Sequence, residues 1–380
     1  MSLARGFALL ALAASACLAA CARDPMDAPG YAEACHGPPV RAPEDRQAAA
    51  EAGYRIDNRF DCIDRKSYEE VQVYQARLEK ERAAQTSARH IKPIAERLGD
   101  ARKDFVTAIS APASGMPVPM PPADLFVRSD YKGGEGRELV AFVTPDPRDG
   151  AKHAAILWLT GGDSNSLDDF WTEGEPANDQ SASAFRKAGM ILMFPTLRGG
   201  NMDSGRKEFF FGEVDDVRAA ANHLARLPYV DPARLYLGGH STGGTLALLV
   251  AETGGRFAAV FAFGPVTAVN RYPAPLVPDA LSGADARELR LRSPIHWMAG
   301  ISTPTYLIEG DSSPGNAGEL EELCASRNPL VHCIPAAGFD HFSVLWPVSR
   351  TIAARLVTGV PDGEPVIKAQ QFARGATNGE

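Results

Sequence analysis

The sequence predicts an α/β fold, with a mostly parallel central sheet covered by helices on both faces. Two observations point to it. From about residue 123 onward, short apolar runs alternate with stretches of helical period, the pattern of a parallel sheet linked by crossover helices. Two of those runs, residues 154–160 and 189–195, are apolar almost throughout, as strands buried on both faces are.

The chain of 380 residues is 45% hydrophobic and 23% charged, which is ordinary globular composition with enough apolar residue for a large core. A net charge of −8 does not attract phosphate backbones, so nucleic acid is excluded as a partner.

The first twenty residues read as a targeting segment. Arg5 gives a positive start, and residues 6–18 form an apolar run too short to span a bilayer. The run ends in Leu18-Ala19-Ala20-Cys21, which resembles a bacterial lipobox. That resemblance implies cleavage before Cys21 and a diacylglycerol on its thiol. The protein is then expected to be exported and held by lipid alone at a periplasm-facing membrane. The simpler alternative is a plain signal peptide with an Ala-x-Ala site beside a cysteine.

Cys17 falls within the signal and Cys21 is the lipidation site, which leaves Cys35, Cys62, Cys324 and Cys333. An even number in an exported chain suggests disulfides, and proximity favours Cys35–Cys62 and Cys324–Cys333. No Cys-x-x-Cys spacing supports a metal site, and no metal or organic cofactor is expected.

Residues 21–66 read as a tether, rich in Pro, Ala and charge. Residues 67–111 read as a helical extension. One helix is predicted over 68–84, with Val71, Tyr74 and Leu78 on one face. A second has Pro93 in its first turn and Ile91, Ile94, Leu98, Ala101 and Phe105 at spacings of three and four. The proline-dense stretch 112–122 is a boundary. The main domain is predicted over 123–360. Strands are read at 125–129, 139–144, 154–160, 189–195, 234–238, 257–263, 305–309 and 331–334, and helices at 213–227, 242–252 and 343–357. Residues 264–303 break the rhythm as a small insertion, and 361–380 form a polar tail.

The strongest chemical signal is Gly239-His240-Ser241-Thr242-Gly243, followed by Gly244. It lies between an apolar strand and a helix, the setting of a nucleophile elbow. Ser241 is the candidate nucleophile. The N–H of Thr242 is one candidate donor to an oxyanion, and Gly162 or Asp163, after the third strand, supplies the second. A serine hydroxyl needs a base, and in this chain order the base comes last. His341, in the loop beyond the final strand, is the candidate, whereas His223, His240, His296 and His332 read as structural. The acid should follow the strand at 305–308. Glu309 and Asp311 both qualify, and Asp311 is preferred because it lies in the loop, within reach of an imidazole.

These residues resemble the α/β-hydrolase superfamily, in its prolyl oligopeptidase-like branch, from about Phe126 to Val357. Besides the elbow, the resemblance rests on Leu159-Thr160-Gly161-Gly162, on Leu197-Arg198-Gly199-Gly200-Asn201 with Phe211-Gly212-Glu213-Val214-Asp215-Asp216-Val217, and on Gly338-Phe339-Asp340-His341-Phe342. It implies a serine hydrolase acting on peptides or esters through an acyl-enzyme. The sequence departs from the family at Thr160, where a His is usual, and at Ser313, where the acid usually sits. A second reading follows from that departure: a hydrolase fold that has lost catalysis and serves as a binding or scaffold lipoprotein. Acyl transfer to an acceptor other than water is a third.

Overall fold

The computed structural model describes residues 28–373 except 52–53, 71, 74–96, 204, 274–275, 279–280, 282–283 and 362. The signal segment, Cys21 and most of the two helices predicted between 68 and 105 lie outside the described residues. The chain divides into two compact units, residues 1–93 and 94–380.

In the first unit, residues read from sequence as a tether are folded. Cys62–Asp64 is the middle strand of a three-stranded antiparallel sheet, with Cys35–His36 on one side and Ile56–Asp57 on the other. The expected Cys35–Cys62 disulfide closes it, with Cα atoms 5.6 Å apart. Tyr31, Cys35 and Cys62 form a buried cluster beside it, with Phe60 packed edge-on to Tyr31. A cross-link of this kind favours so small a core by limiting the unfolded chain.

The second unit has the α/β-hydrolase fold. The strands of its central sheet are β1 (Val127–Arg128), β2 (Ala141–Val143), β3 (His153–Leu159), β4 (Ile191–Pro195), β5 (Val230–His240), β6 (Ala259–Phe263), β7 (Thr305–Gly310) and β8 (Val331–Ala336). They form one sheet in the order β8-β7-β6-β5-β3-β4-β2-β1. β1–β2 and β2–β4 pair antiparallel, and every other pairing is parallel. Side chains alternate across the sheet. On β3, Ala155, Leu157 and Leu159 enter one core, while Ala154, Ile156 and Trp158 enter the other. Both faces are buried, which is why β3 and β4 read as unbroken apolar runs.

The helices labelled here are α1 (Ser183–Lys187), α2 (Glu213–Leu224), α3 (Thr242–Glu252), α4 (Ala317–Cys324) and α5 (Leu345–Thr358). α2 and α3 cover one face, and α1 and α5 the other. The second expected disulfide, Cys324–Cys333, ties α4 to β8 across 6.1 Å between Cα atoms. Among its described residues, the insertion at 264–303 contains three short 3-10 turns and the helix Ala286–Arg290. Leu98 and Ile109 lie in the main core, with Phe105 packed against it. The end of the predicted extension over 67–111 thus packs in the large unit.

A buried charge network fixes the loop after β4. Arg198 is 2% exposed. Its Nε donates to Asp216 Oδ2 at 2.8 Å, and its Nη1 lies 3.0 Å from Glu208 Oε1. Asn165 Nδ2 donates to the Arg198 carbonyl at 2.7 Å and to Glu213 Oε1 at 3.0 Å. The loop after β3 is thereby coupled to the start of α2. Removing one member of such a network would strand a buried charge.

At the other end of α3, Glu252 is fully buried and both carboxylate oxygens are without a hydrogen-bond partner. Burial pushes its carboxyl well above the ordinary 4.5. A raised folded-state pKa leaves stability intact below the unfolded value and erodes it as pH rises. Glu252→Gln is therefore expected to stabilise the protein at pH 8 by roughly 1–3 kcal/mol. The gain should vanish near pH 4, where the acid is neutral in both states. Calorimetry at the two pH values checks this, and an unchanged melting temperature at pH 8 would refute it.

Candidate active site

Ser241 joins β5 to α3 with φ 55° and ψ −117°, a backbone conformation costly for any residue but glycine. The surroundings enforce it. The Ser241 N–H donates to the Phe263 carbonyl at 2.8 Å, and the Thr245 N–H donates to the Ser241 carbonyl at 2.9 Å. The turn is tight because Gly243 has no side chain: a Cβ there would lie 2.3 Å from the Leu159 carbonyl oxygen.

The loop after β3 abuts this elbow. Thr242 Oγ1 donates to the Gly162 carbonyl at 2.9 Å, and Gly162 has φ +70°. Thr242 and Gly162, both predicted as sources of oxyanion donors, are thus in direct contact. Asp163 follows, its carboxylate accepting from Lys207 Nζ at 2.6 Å and from Ser166 Oγ at 2.7 Å. The Asp163 side chain therefore braces the loop, and only its backbone N–H remains as a candidate donor.

His341 lies beyond β8, as the sequence predicts. Its Nδ1–H donates to Glu309 Oε2 at 2.9 Å. Glu309 is the residue before the last of β7 and is 0% exposed. The other Glu309 oxygen accepts the Gly310 N–H at 2.9 Å. The preference for Asp311 is corrected here. Asp311 is exposed, and its Oδ1 accepts from Gly338 N at 2.7 Å and Ser312 Oγ at 3.1 Å. The reason is the length of β7, which stays paired to β8 through Gly310↔Ala336. Glu309 thus remains inside the sheet beneath the imidazole, while Asp311 is carried past it to the Gly338 turn. Gly264 makes room for the pair: at φ +61°, a Cβ there would lie 2.3 Å from His341 Cε1 and 2.8 Å from Glu309 Oε2.

Two histidines read as structural from the sequence, His223 and His332, sit elsewhere. His223 Nε2 is 2.7 Å from Ser129 Oγ, and His332 stacks on Tyr306 with centroids 4.7 Å apart. His240 precedes the nucleophile candidate and packs beside His341, with ring centroids 4.5 Å apart.

One side chain of the site carried no signal in the sequence. Tyr272, from the insertion, places its hydroxyl 2.7 Å from Thr245 Oγ1. Burial pushes that hydroxyl's pKa up, while the neighbouring Thr245 and Ser241 hydroxyls pull it back. Its ring is parallel to Phe210, with centroids 5.9 Å apart. Among the described residues, no group of three or more His, Cys, Asp or Glu is arranged to hold a metal ion.

The sequence profile of the prolyl oligopeptidase family matches residues 176–310, which include Ser241 and Glu309 and stop short of His341. A probable dipeptidyl-aminopeptidase B from Metarhizium robertsii is 39% identical over 160 residues, covering 38% of this chain and 17% of that protein. The chain thus spans about a sixth of the length of that relative. Among solved structures, a puromycin-hydrolysing peptidase from Mycobacterium tuberculosis superposes with a TM-score of 0.51 at 18% identity, over 61% of this chain and 39% of that one. A 2,6-dihydroxy-pseudo-oxynicotine hydrolase gives a TM-score of 0.49 at 17% identity, over 64% and 70% of the two chains. The chain is similar in fold to the puromycin-hydrolysing peptidase and, over residues 176–310, in sequence to the prolyl oligopeptidase family.

Proposed function

We propose that this protein is a serine hydrolase of the peptidase type, cleaving a peptide or ester bond through an acyl-enzyme on Ser241. The observation that carries the reading is the pairing of fully buried Glu309 with His341 Nδ1 at 2.9 Å, on an imidazole that packs against His240, the residue before the elbow serine. A carboxylate accepting from Nδ1 fixes the tautomer whose Nε2 can take a proton, and it stabilises the imidazolium that results. Ser241 Oγ attacks the substrate carbonyl as His341 takes its proton. The oxyanion accepts from the Thr242 N–H and from that of Gly162 or Asp163, at the positive end of α3. Collapse expels the leaving group with the proton from His341. Water, activated by the same imidazole, then releases the acid.

The family match and the dipeptidyl-aminopeptidase relative support a peptide as substrate. The scaffold reading drew on the missing acid at Ser313, and the Glu309 carboxylate on His341 Nδ1 supports the catalytic reading instead.

Intact-mass labelling of the signal-free protein with a fluorophosphonate tests the proposal. Wild type should take up one adduct and folded Ser241→Ala none. Glu309→Ala should slow labelling on the order of 10²–10⁴-fold, whereas Asp311→Ala should label at close to the wild-type rate. Folded wild type that takes up no label would remove the catalytic reading and favour the scaffold.

We also propose that Cys21 carries a lipid anchor, on the motif Leu18-Ala19-Ala20-Cys21. Full-length protein made in a bacterial host should then sediment with membranes, and Cys21→Ser should release it. Equal sedimentation of the two would count against lipidation.

A further inference from the structure

Beyond the catalytic groups, one buried side chain touches all three segments of the site. His240, the last residue of β5, is 2% exposed. Its Nε2 lies 3.0 Å from the backbone carbonyl oxygen of His341. A carbonyl only accepts, so Nε2 carries the hydrogen and Nδ1 is a bare lone pair. That Nδ1 is buried without a hydrogen-bond partner. It faces the loop after β3, where a Cβ on Gly161 would be 3.1 Å away. The ring therefore wedges between the histidine loop and the oxyanion loop, on the strand that presents Ser241. Burial, and then the nearby His341, push its pKa down to about 3, so the ring stays neutral beside the base.

His341 is consequently held at three atoms. Its N–H donates to the Pro314 carbonyl at 2.9 Å, its Nδ1–H to Glu309 and its carbonyl accepts from His240. Of these, only the His240 bond ties the base to the nucleophile's own strand. We propose that His240 is a positioning residue: its Nε2–H sets the distance between the His341 imidazole and Ser241. A mispositioning of about 1 Å costs on the order of 100-fold in rate.

The inference rests on reading Ser241 and His341 as nucleophile and base. Three variants test it in the signal-free protein: His240→Gln, whose amide N–H has nearly the reach of the imidazole Nε2, His240→Asn, which is too short, and His240→Leu, which has no donor. Each is examined by thermal melting, fluorophosphonate labelling rate, and kcat and KM on an activated ester. His240→Gln should stay within about threefold of wild type in kcat, and His240→Asn and His240→Leu should fall about 10–100-fold with KM little changed. Should His240→Leu not fold, the comparison of Gln with Asn decides. Folded Leu or Asn variants with wild-type kcat would overturn the proposal, as would a Gln variant that is equally impaired or unfolded. Wild type that does not label would instead remove the catalytic reading on which the inference stands.

Discussion

The backbone of Ser241 is the constraint on which the rest of this structure depends. A non-glycine residue at φ 55° is costly unless its neighbours over-determine it. Here β5 ends in a parallel register with both β3 and β6, so the Phe263 carbonyl is in place for the Ser241 N–H. α3 begins at the next residue, and the close approach of Gly243 to Leu159 lets it start without a clash. The sheet, the helix and the glycine each follow from packing, and together they leave the serine side chain one place to go. That place is the C-terminal edge of the parallel strands, where ligand sites in open α/β sheets form.

Around this elbow, several polar groups are buried in paired sets. Glu309 is shared between His341 and the Gly310 N–H. Arg198 is matched by Asp216 and Glu208, and Asn165 links that network to the loop beside Thr242. Such networks contribute little net stability compared with apolar packing, but they penalise any other arrangement of the loops. The apolar cores on the two sheet faces hold the strands, and the polar networks hold the strand ends. Position at the site is therefore set by interactions distinct from those that drive folding.

What the sequence made legible followed the range of the interactions involved. The elbow is local: strand, glycines, serine and helix lie within a short stretch. The place of His341 beyond the final strand was legible through chain order, and the two disulfides through proximity. The carboxylate that meets its imidazole was not. Glu309 and Asp311 have the same parity along β7, and the choice depends on where pairing with β8 stops, a register no local pattern reports. The segment read as a tether folds through strands of two or three residues, too short to show a period. Tyr272 comes from an insertion without periodicity, and the bond from His240 to the His341 carbonyl spans 101 positions in the chain.

The central claim is that Glu309, and not Asp311, holds the imidazole that serves Ser241. The most direct measurement is the His341 Nδ1 proton in the NMR spectrum of the folded protein. The account predicts a resonance downfield of the amide envelope in wild type, retained in Asp311→Asn and lost in folded Glu309→Gln. Its survival in Glu309→Gln, or its loss in Asp311→Asn alone, would contradict the account.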